Sequence, residues 1–146
     1  MTATDQFEDD LLDLIFTNVD APNIGDAAGL QNSAAAGSIQ VSLHTATLSD
    51  TDTLTTASEA AYTSYARETV ARSLAGWTVA SGTVDNDSAI TFTTATGGSE
   101  TETDFGLTLQ ATGDYLQIFG ALTSSLAVSN GITPEFAAGA LDISVN

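Results

Sequence analysis

Ala89-Ile90-Thr91-Phe92, Phe105-Gly106-Leu107-Thr108-Leu109, Tyr115-Leu116-Gln117-Ile118-Phe119, Ser125-Leu126-Ala127-Val128 and Leu141-Asp142-Ile143-Ser144-Val145 decide the fold. In each run apolar residues recur at every second position, the period of a strand whose successive side chains point to opposite faces. Thr96-Gly97-Gly98, Thr112-Gly113-Asp114, Asn130-Gly131 and Ala138-Gly139 separate the runs. Glycine and asparagine there supply the positive φ that tight reversals need. Five such strands between Ala89 and Val145 make an antiparallel all-β unit, a scaffold without any feature of a catalytic centre.

Working back toward the N-terminus, Ser38-Ile39-Gln40-Val41-Ser42-Leu43-His44 alternates cleanly and reads as the first strand. Thr45 to Thr63 is rich in Thr, Ser and Asp without sustained periodicity, an exposed excursion able to carry a binding surface. Tyr65 to Val70, Trp77-Thr78-Val79 and the stretch from Ser81 to Asp87 resume an extended pattern. Val19 to Gly37, with Pro22, three glycines and a run of alanines, is a loop long enough to be functional, disordered or ordered by a partner. Thr2 to Asn18 is the one helical candidate. Phe7, Leu11, Leu14 and Ile15 follow the spacing of an apolar helix face, Leu12 and Phe16 widen it, and acids fill the rest. The whole predicts an antiparallel β-sandwich or jelly-roll-like domain of about eight strands at 38–146, preceded by an amphipathic helix and long loop at 1–37.

Charge is the strongest compositional signal. The 146 residues hold 19 acidic side chains against two arginines, with no lysine and a formal net charge of −17. The acids are scattered among turns and strand exteriors rather than gathered in a tail, so they belong to a folded surface. Self-repulsion on this scale destabilises the compact state at low salt, and a Debye length of about 3 Å at 1 M salt removes most of it. The composition therefore reads as adaptation to molar salt. Nucleic-acid binding is disfavoured because it needs a basic patch. Cysteine is absent, which removes disulfides, thiolate metal sites and cysteine nucleophiles. No basic N-terminal region or long apolar run supports a signal peptide or membrane insertion.

Candidate chemistry is sparse. His44 is the only histidine, sits at a strand end and lacks a serine-centred motif, so a structural role is the ordinary reading. Arg67 and Arg72 are expected to form structural ion pairs, the default for guanidinium groups among so many carboxylates. Asp50-Thr51-Asp52 and Asp85-Asn86-Asp87 offer alternate oxygen ligands but lack the closing glutamate of a calcium loop. Trp77, Tyr62, Tyr65 and Tyr115 would stack on sugar rings only if they gathered on one surface. No catalytic, cofactor or metal site is expected.

The order of short motifs resembles a family of small virion structural proteins of tailed viruses, labelled variously tail fibre, minor tail or capsid decoration proteins. The resemblance runs through Val41-Ser42-Leu43-His44-Thr45-Ala46, Tyr65-Ala66-Arg67, Ser81-Gly82-Thr83-Val84 and Ala89 to Thr96, then Phe105-Gly106-Leu107, Ala111 to Leu116, Phe119-Gly120-Ala121-Leu122, Asn130-Gly131 and Phe136 to Leu141. Gly97-Gly98-Ser99-Glu100 stands where such proteins often carry a tryptophan, and Gly113 with Asp114 replaces a glycine pair; both departures fall in turns. The resemblance implies a non-enzymatic virion component. Read with the acidity, it implies a tailed virus of a halophilic archaeon. The leading placement is capsid decoration or a turret on the head exterior, as a homo-oligomer, a trimer by the general habit of symmetric association, gripping the major capsid protein or another virion protein through Phe7, Leu11, Leu14 and Ile15. The alternative is a tail fibre, collar or baseplate protein binding host-surface glycans.

Overall fold

The computed structural model describes residues 3–109 and 115–144. The helix start expected at Thr2, the turn expected at Thr112-Gly113-Asp114 and the strand end expected at Val145 lie outside these residues. The chain is all-β, with nine strands among the described residues and one short N-terminal helix. It divides into two compact units: Met1–Ser38, Ala71–Ile90 and Phe136–Asn146 in the first, Ile39–Val70 and Thr91–Glu135 in the second. The N-terminal segment thus shares a unit with later parts of the chain.

In the first unit, α1 (Asp5–Leu12) runs into a π-helical turn, Asp13–Thr17. Thr4 caps the helix through its backbone, its carbonyl accepting from the Phe7 and Glu8 amides, while Asp5 and Glu8 place negative charge at the positive helix end. Asn18 stops the segment at φ 59°, a left-handed conformation that asparagine tolerates better than most residues. The face this helix buries is Glu8, Leu12 and Phe16, four residues apart. Phe16 meets Trp77 edge-on at 5.0 Å. Phe7 stays 47% exposed, and Leu11, Leu14 and Ile15 are half-buried.

The helix packs on β3 (Trp77–Ala80) and β4 (Thr83–Asn86). These strands join through Ser81-Gly82, both at positive φ and with Ala80 opposite Thr83, the two-residue hairpin turn that matches strand twist. A Cβ at Gly82 would fall 2.2 Å from the Glu8 carboxylate, and the Gly82 amide donates to Asp9 Oδ1 at 2.7 Å. Buried Asn86 accepts from the Leu141 amide and donates to the carbonyls of Ser88 and Ala137, tying the last turns to the β4 edge where β9 (Ile143–Ser144) pairs. The 19–37 loop is ordered by its own contacts: Ala21 and Leu30 exchange backbone bonds, and Asn18 and Ser33 bond reciprocally.

The second unit is built on a four-stranded sheet in the order β2-β1-β6-β7, comprising β1 (Ser38–His44), β2 (Glu68–Ala71), β6 (Ser99–Leu109) and β7 (Ile118–Ser129). A two-stranded sheet pairs β5 (Ile90–Thr91) with β8 (Glu135–Phe136). Two runs that alternation reads as separate strands, Tyr115 to Phe119 and Ser125 to Val128, fall largely on the single strand β7. Its register against β6 breaks between Glu102/Leu126 and Asp104/Ala121, so Leu122 to Ser125 bulge opposite Thr103. The polar residues of this bulge interrupt the hydrophobic pattern without ending the strand. The 45–63 excursion is pinned by Leu48, Ala57 and Leu54 packing with Leu116 and by a bridge from His44 to Glu59.

Candidate assembly surface

The two arginines are used differently. Arg67 forks onto Glu59, Nε to Oε1 at 2.7 Å and Nη2 to Oε2 at 2.6 Å, and reaches Gln40 at 3.4 Å. Tyr65 donates its hydroxyl to the same carboxylate and accepts the Leu43 amide. Burial pushes the Glu59 pKa up, but the guanidinium and the phenol outweigh it and hold the carboxyl below its ordinary range. Arg72 departs from the expected carboxylate pairing. Its guanidinium donates to the carbonyls of Leu14, Ile15 (2.6 Å) and Ala36 (3.2 Å), and to Ser33 Oγ. The last carbonyls of a helical segment lack intrahelical donors and form its negative end, so a cation placed there satisfies both.

His44 lies at 0% exposure, with Nε2 2.8 Å from Ser42 Oγ. The Ser42 hydroxyl also lies 3.2 Å from the Gly106 carbonyl, which ties the pair to β6. Burial lowers the His44 pKa and keeps the ring neutral. Gly106 is obligatory beside this pair, because a Cβ would sit 2.7 to 2.9 Å from Leu116, Ser42 and His44. A sealed serine and histidine can hold strands together but cannot meet a substrate.

The aromatic residues do not form a sugar platform. Trp77 and Tyr62 are buried, Tyr65 stacks on Phe92, and Tyr115 is exposed. Asp52 caps the Ser49 amide and hydroxyl, and Asp87 accepts from Thr78. Among the described residues, no three His, Asp or Glu side chains gather as metal ligands, and no helix is long and apolar enough to cross a membrane.

Sequence reasoning missed Glu102. It is fully buried on β6 with no cation or backbone amide on its carboxylate oxygens, and the Glu100 side chain stands beside it. Burial, then the neighbouring charge of Glu100, pushes its pKa up to about 7. Its signal in the sequence is weak: Glu100, Glu102 and Asp104 alternate onto the face that continues inward, where acids read as strand exterior. What remains open is the second apolar face of the helix, Phe7 with Leu11, Leu14 and Ile15, accompanied in the same unit by exposed Val19 and Leu30.

The folded pKa of Glu102 lies above its ordinary value of 4.5, so the native state binds the extra proton and loses stability as pH rises from about 4.5 through 7. Glu102→Gln should remove this loss and stabilise the protein by up to about 3 kcal/mol at pH 8, with little change at pH 4.5. Denaturant unfolding of both proteins at the two pH values checks it; equal differences at both would contradict the buried neutral carboxyl.

A family model described as podophage GP4 fiber I protein gp80 matches residues 2–144, spanning both units. A search of the curated proteins gives no significant match. A structural fibre family points toward a non-enzymatic role, in keeping with the sealed histidine. The chain belongs to the podophage gp80 fibre-protein family and is a virion component of tailed viruses.

Proposed function

We propose that this protein is a non-enzymatic fibre component of a tailed virus, fixed to the particle by the exposed face of its N-terminal helix. The carrying observation is the division of labour along that helix. Leu12 and Phe16 already fill the protein's own core, yet Phe7, Leu11, Leu14 and Ile15 keep apolar surface at the solvent side. In a chain of net charge −17, apolar surface retained on a short acidic helix fits a docking face for another virion protein. The 45–63 excursion is the candidate outward face for host-surface glycans. The second reading is decoration of the capsid exterior, with the major capsid protein as partner; it uses the same helix face, and the fibre description of the family favours the tail. In either place the protein works as a homo-oligomer.

Leu11→Asp with Leu14→Asp should leave the fold intact, because Leu12 and Phe16 are untouched, and should cut incorporation into particles at least about tenfold, the effect of some 1.4 kcal/mol at an interface. Mutant protein that folds and still reaches full occupancy would overturn this placement.

The acidity supports a salt-adapted virus of a halophilic archaeon. The thermal midpoint should rise by about 10 °C between 0.1 and 2 M potassium chloride, worth a few kcal/mol for a domain of this size. A flat or falling midpoint would contradict salt adaptation.

A further inference from the structure

We propose that two copies of this chain join edge to edge through β7, in antiparallel pairing about a two-fold axis between Thr123 and Ser124. The inference rests on the reading of the protein as a self-associating virion component and names where its copies meet; a two-fold contact replaces the trimer expected from the sequence. Strand β7 is the outer strand of the four-stranded sheet, and no strand among the described residues pairs with its free side. Such an edge presents unpaired amides and carbonyls, and proteins that stay apart protect it with charge, proline, a bulge or short length. Here the edge strand is twelve residues long, without charge or proline, and its bulge leaves a regular four-residue run on either side. From Tyr115 to Pro134 the sequence carries no charged side chain, in a protein with 19 acids. The same segment exposes Tyr115 (63%), Phe119 (37%) and Ile132 (38%).

The charge pattern selects the occupant. Two copies that each carry −17 repel everywhere except where neutral surface meets neutral surface, and β7 offers the same neutral strand from both sides. Pairing β7 with the opposite sheet edge would match twelve residues to the four of β2, which begins at Glu68. Self-pairing matches length and chemistry, and an identical patch on both copies is the form a two-fold contact takes.

The register follows from the faces. Opposed pairs of an antiparallel ladder share a face, and the register against β6 changes parity across the bulge: Glu102 opposes Leu126 but Asp104 opposes Ala121. Phe119 and Ala121 therefore share a face with Leu126 and Val128, and Ile118 and Gly120 share one with Ala127 and Ser129. An even-numbered residue on one side of the bulge must oppose an odd-numbered one on the other, which an axis between residues satisfies and an axis on a residue does not. An axis between Thr123 and Ser124 pairs Ile118 with Ser129 and Phe119 with Val128. It also centres the Leu122 to Ser125 bulge, leaving the regular runs Ile118 to Ala121 and Leu126 to Ser129 to pair with each other.

The purified full-length chain in 2 M potassium chloride should scatter light as twice its 14.9 kDa mass. The sequence has no cysteine, so Ile118→Cys with Ser129→Cys supplies two thiols that oppose each other across the contact but stand eleven residues apart on one strand. Mild oxidation should link this variant into a covalent dimer at least about tenfold faster than Ala28→Cys with Ala35→Cys, two exposed positions on the 19–37 loop. Phe119→Glu with Ala127→Glu brings four carboxylates onto the joined strands and should weaken dimerisation about 100-fold, whereas Ala34→Glu with Ala35→Glu, of equal charge, should not. If the β7 double variant fails to fold, hydrogen exchange of the wild type replaces it: β7 amides should exchange more slowly in the dimer than after dilution to monomer. A monomer at all concentrations, a mass of three chains, equal cross-linking of the two cysteine variants, or unchanged β7 exchange would each overturn the β7 contact. Loss of this contact with retained helix-dependent incorporation would leave the fibre reading standing.

Discussion

Cation scarcity shapes this protein. With 19 carboxylates and only two guanidinium groups, side-chain cations stand in two places, and each compact unit holds one of them. In the second unit Arg67 converges on Glu59 together with Tyr65, fixing the excursion beside β1 and β2. In the first, Arg72 gathers the carbonyls that end the helical segment and the Ala36 carbonyl at the end of the long loop, so one side chain joins the two. All remaining acids must be solvated, used as turn caps, or protonated. Asp52 and Glu100 take the cap route, the latter accepting the Ala61 and Tyr62 amides. Glu102 takes the last.

Two buried titratable groups on neighbouring strands consequently respond to pH in opposite senses. His44, with its pKa lowered, favours the folded state more as pH rises toward neutrality, while Glu102 favours it less. Neither is placed to act on a substrate, since both are sealed. Their chemistry is structural, as suits a protein whose function lies in its surfaces.

How much of this was legible in the sequence depended on whether a local pattern carried it. Alternation located β1 and the Phe105–Leu109 part of β6, and apolar spacing located the helix, which begins at Asp5 rather than Thr2. The choice between helix faces was not legible, because Phe7, Leu11, Leu14 and Ile15 fit helical periodicity as well as Leu12 and Phe16 do, and only Trp77, about sixty residues away in sequence, decides which pair is buried. Arg72 was misjudged for a similar reason: residue type says that a guanidinium seeks oxygen, but not that the nearest oxygens are main-chain carbonyls. The continuity of β7 was hidden by a polar bulge that reads as a turn. Glu102 was hidden by the general rule that acids face water.

The protein is best understood as a neutral-edged, otherwise acidic β scaffold with an apolar helix face, belonging to a fibre family of tailed viruses. Its copy number in purified particles, measured by quantitative mass spectrometry against the major capsid protein, tests the fibre assignment most directly. The account predicts at most a few dozen copies per particle. A ratio near one copy per capsid subunit would contradict it and place the protein on the head.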